Sequence, residues 1–183
     1  MIIARLTHTP IPSKGIINAV QRHETNAFFK DIHEESFLSK VQTDIVNRLL
    51  VVSNTTINRV MIPLKKTQLI PAASNREAVL DIIRGHAFTR LPVYEAAQDN
   101  ITGFVNVYDV LCSKKTANLH DFVNPIRRLS QSTLVTDAME AMQVEREKIA
   151  LVVRVDRKNH ETPVGIITMK DLVEELFGEL GAW

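Results

Sequence analysis

In Gly165-Ile166-Ile167-Thr168-Met169-Lys170-Asp171 a short apolar strand runs directly into the first turn of a helix. The same frame stands earlier as Gly103-Phe104-Val105-Asn106-Val107-Tyr108-Asp109, with both the glycines and the aspartates 62 positions apart. Each copy is preceded by the same series of signals. Upstream of the first, Ser74-Asn75-Arg76-Glu77 reads as a capping box in which Ser74 caps the backbone and Glu77 reaches back. Ala78, Val79, Ile82 and Ile83 then form an apolar helical stripe that Gly85 ends. Leu91-Pro92-Val93-Tyr94 is a strand whose proline sits near the start, where a ladder donor can be spared. A polar turn, Gln98-Asp99-Asn100, leads to the strand Ile101–Val107 and a helix from Tyr108. The second copy runs through the stripe Leu134, Ala138, Met139, Ala141 and Met142, the strand Ala150–Val153 and the turn Arg157–His160. It closes with the strand Val164–Thr168 and the helix Lys170–Leu176. Self-similarity at this period describes two units of one α/β design. Each unit has too few strands for a wide core, so the two are expected to pack on each other.

A different pattern precedes the repeat. Leu38, Val41, Ile45, Leu49 and Val52 recur at helical spacing, Ser53-Asn54-Thr55-Thr56 breaks the run, and Ile57–Met61 makes one more turn before Pro63. Residues 1 to about 30 read as extended and poorly packed. The chain thus divides into an extended segment with a linker helix (1–54), a first unit (55–118) and a second (119–183), joined around Lys114 to Phe122. Val79, Ile82 and Ile83 in one unit, and Ala138 and Met142 in the other, are the core positions expected of the first helices.

Composition narrows the function. The 183 residues carry 22 Lys+Arg against 21 Asp+Glu, a balance that speaks against a nucleic-acid or polybasic lipid surface. Hydrophobic residues make up 45%, enough for a substantial core, and the lone Cys112 excludes an internal disulfide. The longest apolar run, Ile149–Val153, is far short of a membrane span. Met1-Ile2-Ile3-Ala4-Arg5 lacks the features of a signal peptide. Neither phosphate-binding glycine loop, nor H-E-x-x-H, nor G-x-S-x-G occurs, and the six His residues are scattered. No catalytic residue and no metal site are assigned, and an enzyme is not expected.

The paired Gly165–Asp171 and Gly103–Asp109 stretches resemble the G-h-h-[ST]-x-x-D signature of CBS domains, small β-α-β-β-α modules found in tandem. Val60-Met61-Ile62-Pro63 resembles the V-M-T-P opening of such pairs in the CorC/HlyC (hemolysin-like) and CNNM family of magnesium/cobalt transport proteins. Phe88-Thr89-Arg90-Leu91-Pro92-Val93-Tyr94 is similar to that family's [YH]-[ST]-R-h-P-V-[YF] strand. Glu34–Leu38 and Asp171–Glu179 are similar to its flanking helices. The resemblance implies an α/β (α+β) tandem CBS pair with an N-terminal helical extension. It also implies the cytosolic fragment of a longer membrane protein, on the cytoplasmic side of the membrane beside the membrane domain.

Members of that family bind an adenine nucleotide between the units, so the resemblance implies ATP or AMP as regulatory ligand, with or without Mg2+. Carried onto this chain, the nucleotide-binding residues are Asp171, Thr168, Arg90, Phe88, Ile62 and Pro92. Asp171 would accept the ribose hydroxyls, Thr168 and the helix N-terminus would meet a phosphate, Arg90 would fork onto the phosphates, and Phe88 and Ile62 would flank the base. Ile62 stands where the family has Thr. Asn106 stands where the first unit would carry Ser/Thr, so a second site at Asp109 and Asn106 is the weaker one. The function expected is a regulatory nucleotide-binding module of a membrane ion transporter. The alternative is a structural dimerisation module with no nucleotide. A homodimer through the CBS pairs is expected, with Val110-Leu111 and Leu172-Val173-Leu176-Phe177 as its apolar contacts.

Overall fold

A computed structural model describes residues 40–86, 88–113 and 118–178. The expected extended N-terminal segment, the helix position Leu38, the Glu34–Leu38 match and the start of the joining segment at Lys114 lie outside the described residues. Helices α1 (Lys40–Val52) and α2 (Ile57–Val60) come first, followed by β1 (Ile62–Pro63) and β2 (Ile70–Pro71). The first repeat continues as α3 (Arg76–Gly85), β3 (Arg90–Tyr94), β4 (Ile101–Asn106) and α4 (Val107–Cys112). The second is β5 (Arg127–Ser130), α5 (Val135–Val144), β6 (Ile149–Val155), β7 (Glu161–Thr168) and α6 (Met169–Phe177). The fold is mixed α+β, and its two sheets run β2-β3-β4 and β1-β7-β6-β5. In each, one parallel pair (β2/β3, β5/β6) adjoins an antiparallel hairpin (β3/β4, β6/β7).

Three apolar clusters follow from the strand alternation. Val79, Leu91, Val93, Val105 and Val110 form the core of the first sheet, with Ile82 and Ile83 packed against it. Ala138, Met142, Ala150, Val152, Ile167 and Leu172 form the core of the second. Between the sheets lies a third cluster, in which Ile101, Tyr94 and Phe104 meet Ile149, Leu151, Val153 and Ile166. The two units pack sheet against sheet, with helices on the outer sides.

Residues 52–63, ahead of β2, pack on the second unit. Val52 and Ile57 are buried in the core of the second unit, and Val60 and Met61 lie against the same cluster. Strand β1 pairs antiparallel with β7, Ile62 opposite Ile166 and Pro63 opposite Gly165. The mirror arrangement joins the chain ahead of the second unit to the first sheet, where Asn124 bridges Phe104 through bonds of 2.8 and 2.9 Å. Residues 55–63 thus bond and pack with the second unit's sheet and helices. The repeat is exchanged, each unit receiving a strand or bridge from the segment that precedes the other.

This exchange gives the repeat glycines their reason. A Cβ on Gly165 would lie 2.5 Å from the Ile62 carbonyl oxygen and 2.8 Å from Met61 Sδ. On Gly103 it would lie 2.3 Å from the Asn124 carbonyl oxygen and 2.6 Å from Val123 Cγ1. Only a residue without a side chain lets the crossing backbone approach so closely.

One further expectation needs correcting. The cap of α3 is Asn75, whose Oδ1 accepts from Ala78 N at 3.1 Å, and not Ser74 with Glu77. Asn caps as well as Ser, and Ser74 N is already bonded to Pro71 O in the preceding turn. In the stripe expected to meet a second copy, Val110 and Leu172 are 2% and 0% exposed, taken up by their own cores. Of the remainder Phe177 is open, at 58%.

The β6–β7 turn is held by Asp156, whose Oδ1 accepts from Lys158 N at 2.8 Å and His160 N at 2.9 Å. These bonds, His160's first, hold its carboxyl below the usual carboxylate range. The contribution is therefore present at neutral pH and is lost as the pH falls through the lowered value.

Ile57→Ala tests the exchange. Removing this fully buried side chain is expected to cost about 2–5 kcal/mol, measured by denaturant unfolding. Val51→Ala, on an exposed neighbour, should change stability by less than about 0.5 kcal/mol.

Candidate nucleotide site

Thr168 ends β7 and caps α6. Its hydroxyl donates to Asp171 Oδ2 at 2.7 Å and accepts from Asp171 N at 3.3 Å, while Thr168 N donates to the same Oδ2 at 2.7 Å. This is a reciprocal capping box with Asp in the third helical position. It commits the Thr168 hydrogen and one carboxylate oxygen, leaving Asp171 Oδ1 outside the described hydrogen bonds. A carboxylate has about four acceptor positions, so Asp171 can hold the cap and still accept from a diol. Thr168 cannot donate to a phosphate without giving up its bond to Asp171.

The equivalent corner of the first unit is built differently. Asn106 caps α4 by accepting from Tyr108 N at 3.1 Å, and Asp109 is exposed one turn into the helix. The Asn106 amide oxygen takes the second helical N–H and not the third, so no box closes around Asp109.

Strand register decides which of the remaining residues can converge. In an antiparallel pair, residues directly opposite share a face. Arg90 lies opposite Asn106 and Pro92 opposite Phe104. Ile149 lies opposite Thr168 and Leu151 opposite Ile166. Phe104, Ile149, Leu151 and Ile166 all belong to the cluster between the sheets. Arg90, Pro92 and Asn106 on one sheet, and Thr168 on the other, therefore occupy the facing sides. Ile62 joins the second group through its pairing with Ile166 and is 37% exposed.

Arg90 is half-buried, and its guanidinium donates to the Thr89 hydroxyl at 3.3 Å. Among the described residues no carboxylate pairs with it. Phe88 is 38% exposed and packs its ring 5.1 Å from that of His86, which makes it a surface aromatic and not a core one. Pro92 is buried. No group of three or more His, Cys, Asp or Glu able to hold a metal is present among the described residues.

What the sequence reading missed is the exchanged strand. A signal for it was present: Ile62-Pro63 and Asn124-Pro125 are also 62 positions apart, so the repeat extends to the segment ahead of each unit.

Comparison with known proteins places this geometry. The CBS domain family matches residues 121–178. UPF0053 protein MG146 of Mycoplasma genitalium is 25% identical over 183 residues, which cover 98% of this chain and 41% of that protein. The hemolysin C homolog of Rickettsia rickettsii is 27% identical over 143 residues, 76% of this chain and 46% of that one. The chain thus spans less than half the length of these relatives. Among solved structures, the CBS domain of a bacterial CNNM/CorC family Mg2+ transporter is 20% identical, with a TM-score of 0.76 over 86% of this chain and 96% of that one. The same kind of domain in complex with ATP is 23% identical, with a TM-score of 0.67 over 74% of this chain and 96% of that one. These structures share the fold. Residues 121–178 thus match the CBS domain family, and the chain as a whole is similar to the UPF0053 proteins and the hemolysin C homologues.

Proposed function

We propose that the chain is a regulatory, non-catalytic module that binds an adenine nucleotide between its two sheets, as part of a membrane transport protein for a divalent cation such as magnesium or cobalt. The observation that carries this reading is that Arg90, which has no carboxylate partner among the described residues, and Thr168, which shares a capping box with Asp171 and leaves it a spare carboxylate oxygen, lie on the facing sides of two packed sheets. One end suits phosphates and the other a ribose diol. The likeness to a domain solved with ATP supports the same ligand class. The spans of the relatives leave room for a membrane domain outside this chain. No described helix is long and apolar enough to cross a membrane, which fits a module seated beside that domain on the cytoplasmic side.

In this reading Asp171 Oδ1 takes the ribose, Arg90 takes the phosphates, and Phe88 and Ile62 offer apolar surface to the base. Pro92 acts from beneath by holding β3, and Mg2+ enters with the phosphates. Asp109 and Asn106 form a weaker second site, because Asn106 supplies no hydroxyl. Arg90→Ala is expected to weaken ATP by about tenfold and AMP by less than about threefold, since the lost charge-assisted bonds serve the outer phosphates. Isothermal titration of both nucleotides checks this. An equal loss for both would place Arg90 away from the outer phosphates.

The module is also expected to pair with a second copy. Tyr108 and Phe177 are the exposed large side chains on α4 and α6. Phe177→Glu should shift the light-scattering mass toward the monomer. A dimer that survives with empty sites would favour the purely structural reading.

A further inference from the structure

We propose that the first unit carries a separate ligand site, at the hairpin end of its sheet, for a small organic cation: a primary ammonium on a short aliphatic chain. The site does not depend on the nucleotide reading.

It shows as a difference between the two copies of the repeat. The spacing of 62 that relates Ile62-Pro63 to Asn124-Pro125 also relates Ile57-Asn58 to Leu119-His120. Ile57 and Leu119 are both buried, one in the core of the second unit and the other in that of the first. Strand pairing sets the other side of this junction. Ile70 stands beside Val93 as Leu129 stands beside Val152, and Val93 and Val152 face Gly103 and Gly165. Ala72 and Ser74 are therefore the equivalents of Gln131 and Thr133. In the second unit backbone closes the junction: Ile57 N donates to Thr133 O at 2.9 Å, Asn58 N to Gln131 O at 3.2 Å, and Val135 N to Thr55 O at 2.9 Å. In the first unit no such bond is among those described, and Ala72 O and Ser74 O receive none there. The helix starts differ to match. Leu134 offers α5 no side-chain cap, and Val135 N is taken by the entering segment, whereas α3 is capped from within by Asn75 Oδ1.

Where the second unit is closed, the first keeps a cavity of about 420 Å3, bounded by Pro71–Ser74, by Tyr94–Ala96 and by Asn118 and His120. That volume lies in the range of small-molecule sites. Its lining is rich in acceptors. Besides the two open carbonyls it holds the Ser74 hydroxyl, the Asn118 amide and the Glu95 carboxylate, which has no cation among the described ion pairs. Among the described residues no Lys or Arg lines it. The Glu95 backbone is pinned: its N donates to Asn100 O at 3.1 Å, and its O accepts from Ala97 N at 2.7 Å and Asn100 Nδ2 at 3.0 Å. The next residue, Ala96, is held at φ 61°, which a residue other than glycine adopts only at a cost. The three donors of an ammonium match carbonyl and carboxylate oxygens, and a short alkyl chain matches the Pro71, Tyr94 and alanine surface. Tyr94 and Arg90 end the same five-residue strand, roughly 13 Å apart, so this cavity is separate from the nucleotide site.

Amide chemical shifts of the isotope-labelled chain test this, followed without nucleotide as n-butylammonium is added at constant ionic strength. The uncharged match is n-butanol. The expected result is saturable shifts at Ala72–Ser74, Glu95–Ala97, Leu119 and His120, with none at Gln131–Thr133 and none anywhere with n-butanol. Glu95→Gln should weaken the ammonium about fivefold, the modest loss of an exposed charge pair. Asp99→Asn, on the same turn but outside the cavity lining, should weaken it by less than about twofold. Ala73→Leu, which fills the cavity without altering a charge, should abolish the saturable shifts. Shifts that grow linearly to tens of millimolar, equal shifts with n-butanol, equal losses from Glu95→Gln and Asp99→Asn, or undiminished binding by Ala73→Leu overturn the proposal.

Discussion

Gly165→Ala is expected to lower the melting temperature by roughly 5–10 °C, although it adds a single methyl group. The methyl would stand 2.5 Å from the Ile62 carbonyl oxygen, a backbone atom fixed by the β1–β7 pairing, and 2.8 Å from Met61 Sδ. The sulfur sits on a flexible side chain, but the carbonyl can retreat only by opening the exchanged strand. Overpacking of this kind costs typically 1–3 kcal/mol, and here it also strains the ladder. Gly103→Ala should behave alike, since its methyl would meet the Asn124 carbonyl oxygen at 2.3 Å. Gly85→Ala is the control. Nothing lies within 4 Å of its added Cβ, and it closes a helix, so its melting temperature should be unchanged or slightly higher. Differential scanning calorimetry of the three variants decides the matter. Equal tolerance at all three positions would mean that the crossing segments do not lie where described.

Asp171→Ala is expected to have two separable effects. In the absence of ligand it removes the acceptor of two 2.7 Å bonds in the α6 capping box, a loss of about 1–2 kcal/mol and of roughly 3–6 °C in melting temperature. With ATP it removes charge-assisted bonds to the ribose worth about 1.5–3 kcal/mol, so affinity should fall by roughly 10- to 150-fold. Thermal melts and titrations on the same samples keep the effects apart. Asp109→Ala should leave both quantities close to wild type, because Asp109 is exposed and closes no box. A ligand-free melt unchanged by Asp171→Ala would remove the capping role. Equal affinity losses from both substitutions would mean that the two corners contribute alike.

The sequence carried the repeat, the strands and most helix starts, because alternation and helical stripes are local patterns. Val79, Ala138 and Met142 could be assigned to cores from periodicity alone. The exchange of β1 was out of reach of that reasoning. Ile62-Pro63 is two residues long, with no alternation to measure, and its partner lies about a hundred positions away in the chain. The stripe expected to meet a second copy shows the same limit in two of its members, Val110 and Leu172, which are buried in their own cores. Leu172 and Phe177 lie on one short helix, and a stripe does not say which members the parent sheet consumes and which it leaves outside. At the candidate site the identities of Thr168 and Asp171 were legible. Their mutual bonding was not, since a Thr followed three positions later by Asp reads equally as a ligand pair and as a cap. The structure makes it a cap first, with one carboxylate oxygen to spare.

The central claim is that the two facing sheets hold an adenine nucleotide. Isothermal titration of the wild-type chain with ATP, in buffer with Mg2+ and again with chelator, tests it most directly. Saturable binding of one ATP per chain, weakened by Asp171→Ala and Arg90→Ala and little affected by Asp109→Ala, is the expected result. No saturable heat at millimolar ATP in either buffer would contradict it and leave the dimerisation module as the standing account.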